Sequence, residues 1–168
     1  MNIRRATLTD IPAIMAIVKD VIPLMQAAGN FQWNETYPNP EVFVEDIALT
    51  QLWVAEIEGV VAGVTAITTE QYPEYEQAGL DISEPAIVTH RLVVSPHYRG
   101  QGIADALMQE AENEAVRRDI PLLRIDTNLE NKAAQKVFIK AGYVLMGEIS
   151  LQFRPGMRFV CLEKKLAL

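Results

Sequence analysis

Between Ala86 and Thr127 the chain passes from strand to helix to strand with almost no slack, and this stretch constrains the fold more than any other. "AIVTHRLVV" reads as a strand whose end is nearly continuously apolar, as expected of a strand covered on both faces. "SPHYRGQG" follows it as a turn. A helix opens at once, with Ile103, Leu107, Met108, Ala111 and Ala115 recurring on one face. "PLLRIDT" is the next strand. A strand that reaches its neighbour through a helix must cross over, so the two strands pair in parallel and the helix lies on the sheet.

The flanking sequence extends that unit. Asn2 to Ala6 reads as a strand. Thr9 then stands as an N-cap, with Asp10 in the first turn, Pro12 near the start, and Ile11, Ile14, Met15, Val18, Val21 and Ile22 on one helical face. "GNFQWNETYPNPE" is a loop, and a second helix runs from Pro40 to Leu49. "LWVAEIEGVVAGVTAIT" is a hairpin turning at Glu58-Gly59, and "EQYPEYEQAGLDISEP" is a loop. Asn131 to Ala141 is a helix with Gly142 at its C′ position, and "YVLMGEIS" and "RFVCLEKKL" are closing strands. This order gives one α/β (α+β) domain over residues 1–168: a mixed central sheet of about six to seven strands flanked by four helices.

The turn before the long helix is where chemistry enters. Helices commonly begin with Ser, Thr, Asp or Asn capping the free N–H groups, but this one begins Arg99-Gly100-Gln101-Gly102. Glycines let the backbone come within bonding distance of phosphate oxygens, the helix end carries partial positive charge, and Arg99 adds a fixed cation. An anion, best a pyrophosphate, answers that vacancy; the other reading is a tight turn capped by water. No third glycine stands at dinucleotide-fold spacing, where Asp105 is found, and no Gly-x-x-x-x-Gly-Lys-Ser/Thr occurs.

These residues resemble the acetyl-CoA motif of the GNAT superfamily, the GCN5-related N-acetyltransferases. Its Arg/Gln-x-x-Gly-x-Gly/Ala is matched by Arg99, Gly102 and Ala104 after a Val-x-Pro turn. Its second signature is matched in "NLENKAAQKVFIKAGYVLMGEI" by Asn131, Ala134, Phe138, Gly142 and Tyr143. The resemblance covers nearly the whole chain. It implies that Arg99, Gly100, Gln101, Gly102, Ile103 and Ala104 hold the pyrophosphate of acetyl-CoA. It further implies that Leu92, Val93 and Val94 pair with the pantetheine arm, and that the Val94 backbone N–H stabilises the oxyanion. Asn131, Ala134 and Phe138 line the rest. A primary amine, of a small molecule or a peptide N-terminus, would attack the thioester directly, with no metal. Many relatives carry Tyr, thought to protonate the leaving thiolate, where this chain has Phe138; Tyr143 takes the place of a packing Phe. A non-catalytic acyl-CoA sensor of the same fold is the alternative, and an ATP-binding domain using the same turn is a third.

An amine acceptor needs a base. His90 is one candidate, expected by strand alternation on the face of Leu92 and Val94; the other reading is a core histidine. Asp126 is another, on one face with Arg124 and Asn128, where the other reading is an internal Arg–Asp pair. His97 reads as a surface residue. For the acceptor, Trp33 and Tyr37 stand in an aromatic loop, as pocket wall or as plugs. Glu84, with Glu70, Glu74, Glu76 and Asp81, is expected near the mouth, where acidic charge would attract a cationic amine; a solvated loop is the default. The formal charge of −7 argues against general nucleic-acid binding. No apolar run is long enough for a membrane span. A single cysteine, Cys161, fits a reducing cytoplasm. The closing strands offer an edge on which a second copy could pair as a homodimer.

Overall fold

The computed structural model describes residues 1–168. Seven strands form one sheet: β1 (Asn2–Arg5), β2 (Leu52–Ile57), β3 (Val60–Thr68), β4 (Ile87–Val94), β5 (Leu122–Asn128), β6 (Val144–Ile149) and β7 (Phe159–Lys165). Their order is β1-β2-β3-β4-β5-β7-β6. Every pairing is antiparallel except β4 with β5. Four helices flank it: α1 (Ile11–Ala27), α2 (Pro40–Ala48), α3 (Ile103–Arg118) and α4 (Lys132–Lys140).

The two faces are covered by different helices. Ile14, Ile17, Val18 and Val21 of α1 and Phe43 of α2 pack on Leu52, Val54, Val64, Ala66 and Val93. Opposite them, Met108, Ala111 and Ala115 of α3 and Phe138 of α4 pack on Ile67, Ile87, Leu123, Ile125, Val160 and Leu162. Each large side chain so buried contributes about 1.5–3 kcal/mol before entropy is counted. The α3 end seats closely because Gly63 on β3 has no side chain: a Cβ there would stand 2.6 Å from Ile103 Cγ2. The half of the first face that α1 and α2 leave bare is closed by the 3-10 segment Pro73–Ala78 and the β6–β7 loop, through Tyr75, Leu80, Leu151 and Phe159.

Local detail departs from expectation at the first helix. Thr9 lies inside a 3-10 turn, Leu8–Asp10, and does not cap. Asp10 is the N-cap residue, but its side chain makes no cap bond to α1 and reaches back instead, its carboxylate accepting the Thr7 N–H at 2.8 Å and the Arg4 guanidinium at 2.8 and 2.9 Å. Segment 73–78, read as plain loop, is helical because Pro73 opens it and Gly79, at φ 78°, closes it.

Candidate active site

The parallel pair β4–β5 is joined only through Ile87–Thr89 and Leu123–Ile125. Beyond Thr89 the two strands part. A cavity of about 320 Å³ opens between them and passes through the sheet, from the α3–α4 face to the α1–α2 face.

The parting coincides with a bulge in β4. Val93 opposes Val64 and His90 opposes Ala66, so Arg91 and Leu92 together face Thr65, and Arg91 takes φ 56°. The extra residue resets the alternation. Leu92 and Val94 point to the α3 side, whereas Val93 joins the α1 core. His90 follows Val93, so it lies on the face opposite to the one alternation predicts. After the bulge, Ser95 N–H donates to Ala62 C=O at 2.8 Å. Alternation from that bond turns the Val94 amide away from β3 and toward the opening.

On the α3 side the helix end is uncapped. Gly102 is the N-cap residue at φ 76°, with no side-chain hydrogen bond. Gly100 and Gly102 both have positive φ, and a Cβ at either would meet nothing within 4 Å. The turn thus presents bare backbone to open space. Arg99 and Ala104 line the cavity with Leu92, Val93, Val94, Asn131, Ala134 and Phe138. Asn131 caps α4, its side chain accepting the Ala134 N–H at 3.1 Å. Ile103 is a core side chain, 2% exposed, so only its backbone can face an anion. Tyr143 is buried against Phe138 in the core and does not line the cavity, so it is no proton donor to it.

On the α1 side Asp126 is the only acidic residue in the lining. It does not pair with Arg124, which instead donates to Glu163 at 2.8 Å and to the Asp81 C=O at 2.9 Å. Its partner is Tyr75, fully buried, whose hydroxyl donates to Asp126 Oδ2 at 2.5 Å. Burial pushes the Asp126 carboxyl up to about 6, against the lowering effect of the Tyr75 bond. His90 is 8% exposed and packs edge-on against Tyr72, with its Nε2 3.1 Å from the Glu70 C=O. A carbonyl only accepts, so Nε2 carries the proton. Burial holds this imidazole down at about 4, neutral at physiological pH.

Trp33 and Tyr37 both line the cavity, and Trp33 is also part of the α1 core, so it is wall and plug at once. Glu84 is misplaced in the sequence reading. It lines a separate depression with Arg118, Asp119 and Lys165, and Gln71 donates to its backbone carbonyl at 2.7 Å. Glu70, Glu74, Glu76 and Asp81 do not reach the cavity lining either. His97 is on the surface, 3.5 Å from Asp20.

The lining also contains groups that the sequence reading passed over. Arg91 is held by Asp46, donating from Nε at 2.8 Å and Nη2 at 2.7 Å, and its Nη1 donates to the Tyr37 hydroxyl at 3.3 Å. Phe153 and Arg154 arrive from the β6–β7 loop. The only signal for them was an Arg and an aromatic inside the polar loop "QFRPGM".

A split parallel pair with a glycine turn on one side and a carboxylate on the other is an arrangement that suits an acyl-group transferase. The chain belongs to the acetyltransferase (GNAT) family, whose model matches residues 19–143. A GNAT-family acetyltransferase from Streptococcus agalactiae superposes with a TM-score of 0.85 at 25% identity, over 99% of this chain and 96% of that one. The protein yncA from Salmonella typhimurium, solved with its cofactor acetyl-CoA, shares the fold at a TM-score of 0.73 and 18% identity, over 100% and 95%. The ribosomal-protein-alanine N-acetyltransferase of Brucella melitensis shares it at 0.72 and 24%, over 99% and 100%. N-acetylaspartate synthetase of Danio rerio is 27% identical over 112 residues, 67% of this chain and 36% of the relative's length. The matched part of this chain is thus little more than a third of that protein.

Proposed function

We propose that this protein moves the acetyl group of acetyl-CoA to a primary amine, of a small molecule or a peptide N-terminus, by direct attack on the thioester. One observation carries the reading. A single cleft runs from Arg99 and Ala104, which flank the uncapped glycine turn, past Val94, to Asp126. The names of two relatives span the acceptor types, one a free amino acid and one a protein alanine.

The roles follow from position. Backbone N–H groups of Gly100 to Ala104 and the Arg99 guanidinium take the pyrophosphate. Exposed edge groups of Leu92 and Val94 pair with the pantetheine amides, like an added strand. The acceptor reaches the thioester from the α1 face and gives an ammonium proton to Asp126. Its nitrogen then attacks the carbonyl carbon, and the Val94 N–H receives the developing oxyanion. The C–N bond forms, the C–S bond breaks, and the second proton that the nitrogen sheds goes to the departing sulfur, so coenzyme A leaves as the thiol. Phe138, in place of a tyrosine, has no hydroxyl to donate, and the modest basicity of a thiolate makes it a competent leaving group without one. His90, neutral and donating its Nε2–H to the Glu70 carbonyl, shapes the wall and takes no part in proton transfer.

Calorimetry with acetyl-CoA, wild type beside Gly102→Trp, tests the cradle, with circular dichroism to establish that both fold. Micromolar binding lost in the variant is expected. Coenzyme A release by thiol detection across an amine panel tests transfer. Failure of folded wild type to bind reduces the turn to a turn. Binding without amine-dependent release leaves the acyl-CoA sensor instead.

A further inference from the structure

The chain has nine arginines. Seven stand within 4.0 Å of a carboxylate: Arg4, Arg5, Arg91, Arg117, Arg118, Arg124 and Arg158. The other two are Arg99 and Arg154, and both line the cleft. Arg99 belongs to the glycine turn, where an anion is already assigned. Arg154 comes from the β6–β7 loop, on the opposite face of the sheet, and has no such assignment.

Arg154 is fixed in place. Its Nε donates to the Gln32 C=O at 3.2 Å and its Nη1 to the Phe153 C=O at 3.1 Å. Its guanidinium carbon lies 4.6 Å from the centre of the Tyr37 ring and 5.2 Å from that of Phe153. Two carbonyls and two ring faces hold the group without neutralising it, and Nη2 has no protein partner. A guanidinium oriented in this way, with donors left over, is built to take a carboxylate. Arg91 lies nearby through the shared Tyr37, but Asp46 already offsets its charge.

The cleft therefore carries an unpaired cation at each end and one carboxylate, Asp126, between them. An acceptor whose ammonium meets Asp126 and whose carboxylate meets Arg154 satisfies both. A polyamine would set a second cation against Arg154. A peptide N-terminus carries an amide where a free amino acid carries its α-carboxylate. We propose that the acceptor is a free amino acid, and that Arg154 selects it by binding its carboxylate. This corrects the cationic-amine expectation, which rested on acidic loop residues that do not line the cleft. It rests on the acetyl-transfer reading and narrows it.

The test uses the twenty amino acids, their amides, the matching decarboxylated amines and a set of dipeptides, scored by coenzyme A release. For the preferred side chain, the acid should exceed its amide and amine by between about ten- and a hundredfold in kcat/KM, mainly through KM. Arg154→Gln should collapse that ratio toward one by slowing the acid, and Arg154→Lys should restore part of it. A variant that merely folds badly lowers acid and amide alike and leaves the ratio intact, so an unchanged ratio in folded Arg154→Gln overturns the proposal. Amides or dipeptides used as well as acids overturn it too, while leaving acetyl transfer to amines standing. If acetyl-CoA binds and no amine releases coenzyme A, transfer itself has failed and the acceptor assignment falls with it.

Discussion

Replacing Asp126 by Asn should abolish most activity and make the protein more stable at alkaline pH. The carboxyl is raised from an ordinary 3.8 to about 6 by burial. At about 1.36 kcal/mol for each factor of ten in proton affinity, keeping it ionised costs the native state about 3 kcal/mol. One side of Asp126 faces the open cleft, where solvent screens it, so that figure is an upper bound. The sign is that of a raised carboxyl. Its favourable contribution is complete below the unfolded value of 3.8 and is lost as pH rises through about 6. Asn is neutral throughout, and its carbonyl can still accept the Tyr75 hydroxyl. Relative to wild type, Asp126→Asn should thus gain nothing at pH 4 and up to about 3 kcal/mol at pH 8. For a chain of this length that is roughly 6–12 °C in Tm. Thermal melts of both proteins at pH 4, 6 and 8, without acetyl-CoA, read this directly. In parallel, the wild-type kcat/KM should fall on the acid side with an apparent pKa near 6. The variant should lose about 10²- to 10⁴-fold and show no such limb. A variant less stable than wild type at pH 8, or one that keeps its activity, would refute the assignment of Asp126 as a buried, destabilising base.

Two further substitutions separate neighbours of the site. His90→Gln keeps a donor for the Glu70 carbonyl and should hold kcat/KM within about threefold above pH 6, with the acid limb in place, because a group held near 4 is not the base. A lowered histidine contributes stability above its ordinary 6.5 that fades as pH falls toward 4, so this variant should gain on wild type in melts at pH 4–5. Asp46→Ala leaves Arg91 buried with its charge uncompensated and should cost about 3–5 kcal/mol in urea unfolding. A loss under about 1 kcal/mol would mean that the pair is screened by solvent.

Element order and type were readable because they depend on near neighbours. The turn at Glu58-Gly59 forms where expected, both residues at positive φ, and Gly142 closes α4 at φ 96°. The α1 face was visible as helical spacing, and seven strands and four helices follow in the order read. The uncapped glycine turn was also legible, since its glycines and arginine are adjacent in sequence. What failed were statements about distant partners. Arg124 and Asp126 share a face, but Glu163, 39 residues on, takes the arginine, and Tyr75, 51 residues back, takes the aspartate. Glu84 lies in an acidic loop whose direction is set by Gln71 and Arg124. Arg154 means nothing until Tyr37 and Gln32, more than a hundred residues earlier, are placed beside it.

The bulge explains why these errors concentrate around the site. Regular strands obey alternation, and "THRLVV" contains no glycine or proline to announce an exception. Arg91 nevertheless adopts a left-handed backbone, at a cost of about 1 kcal/mol for a residue with a side chain. The bidentate pair with Asp46, itself 2% exposed, lies where it can offset that cost. The insertion leaves His90 on the α1–α2 face with Val93, sends Leu92 and Val94 to the α3 face, and lies just past Thr89, where β4 leaves β5. The cleft in this chain thus opens beside one residue out of register, held by an ion pair from α2, and His90, which flanks it, is the residue a local reading places on the wrong side.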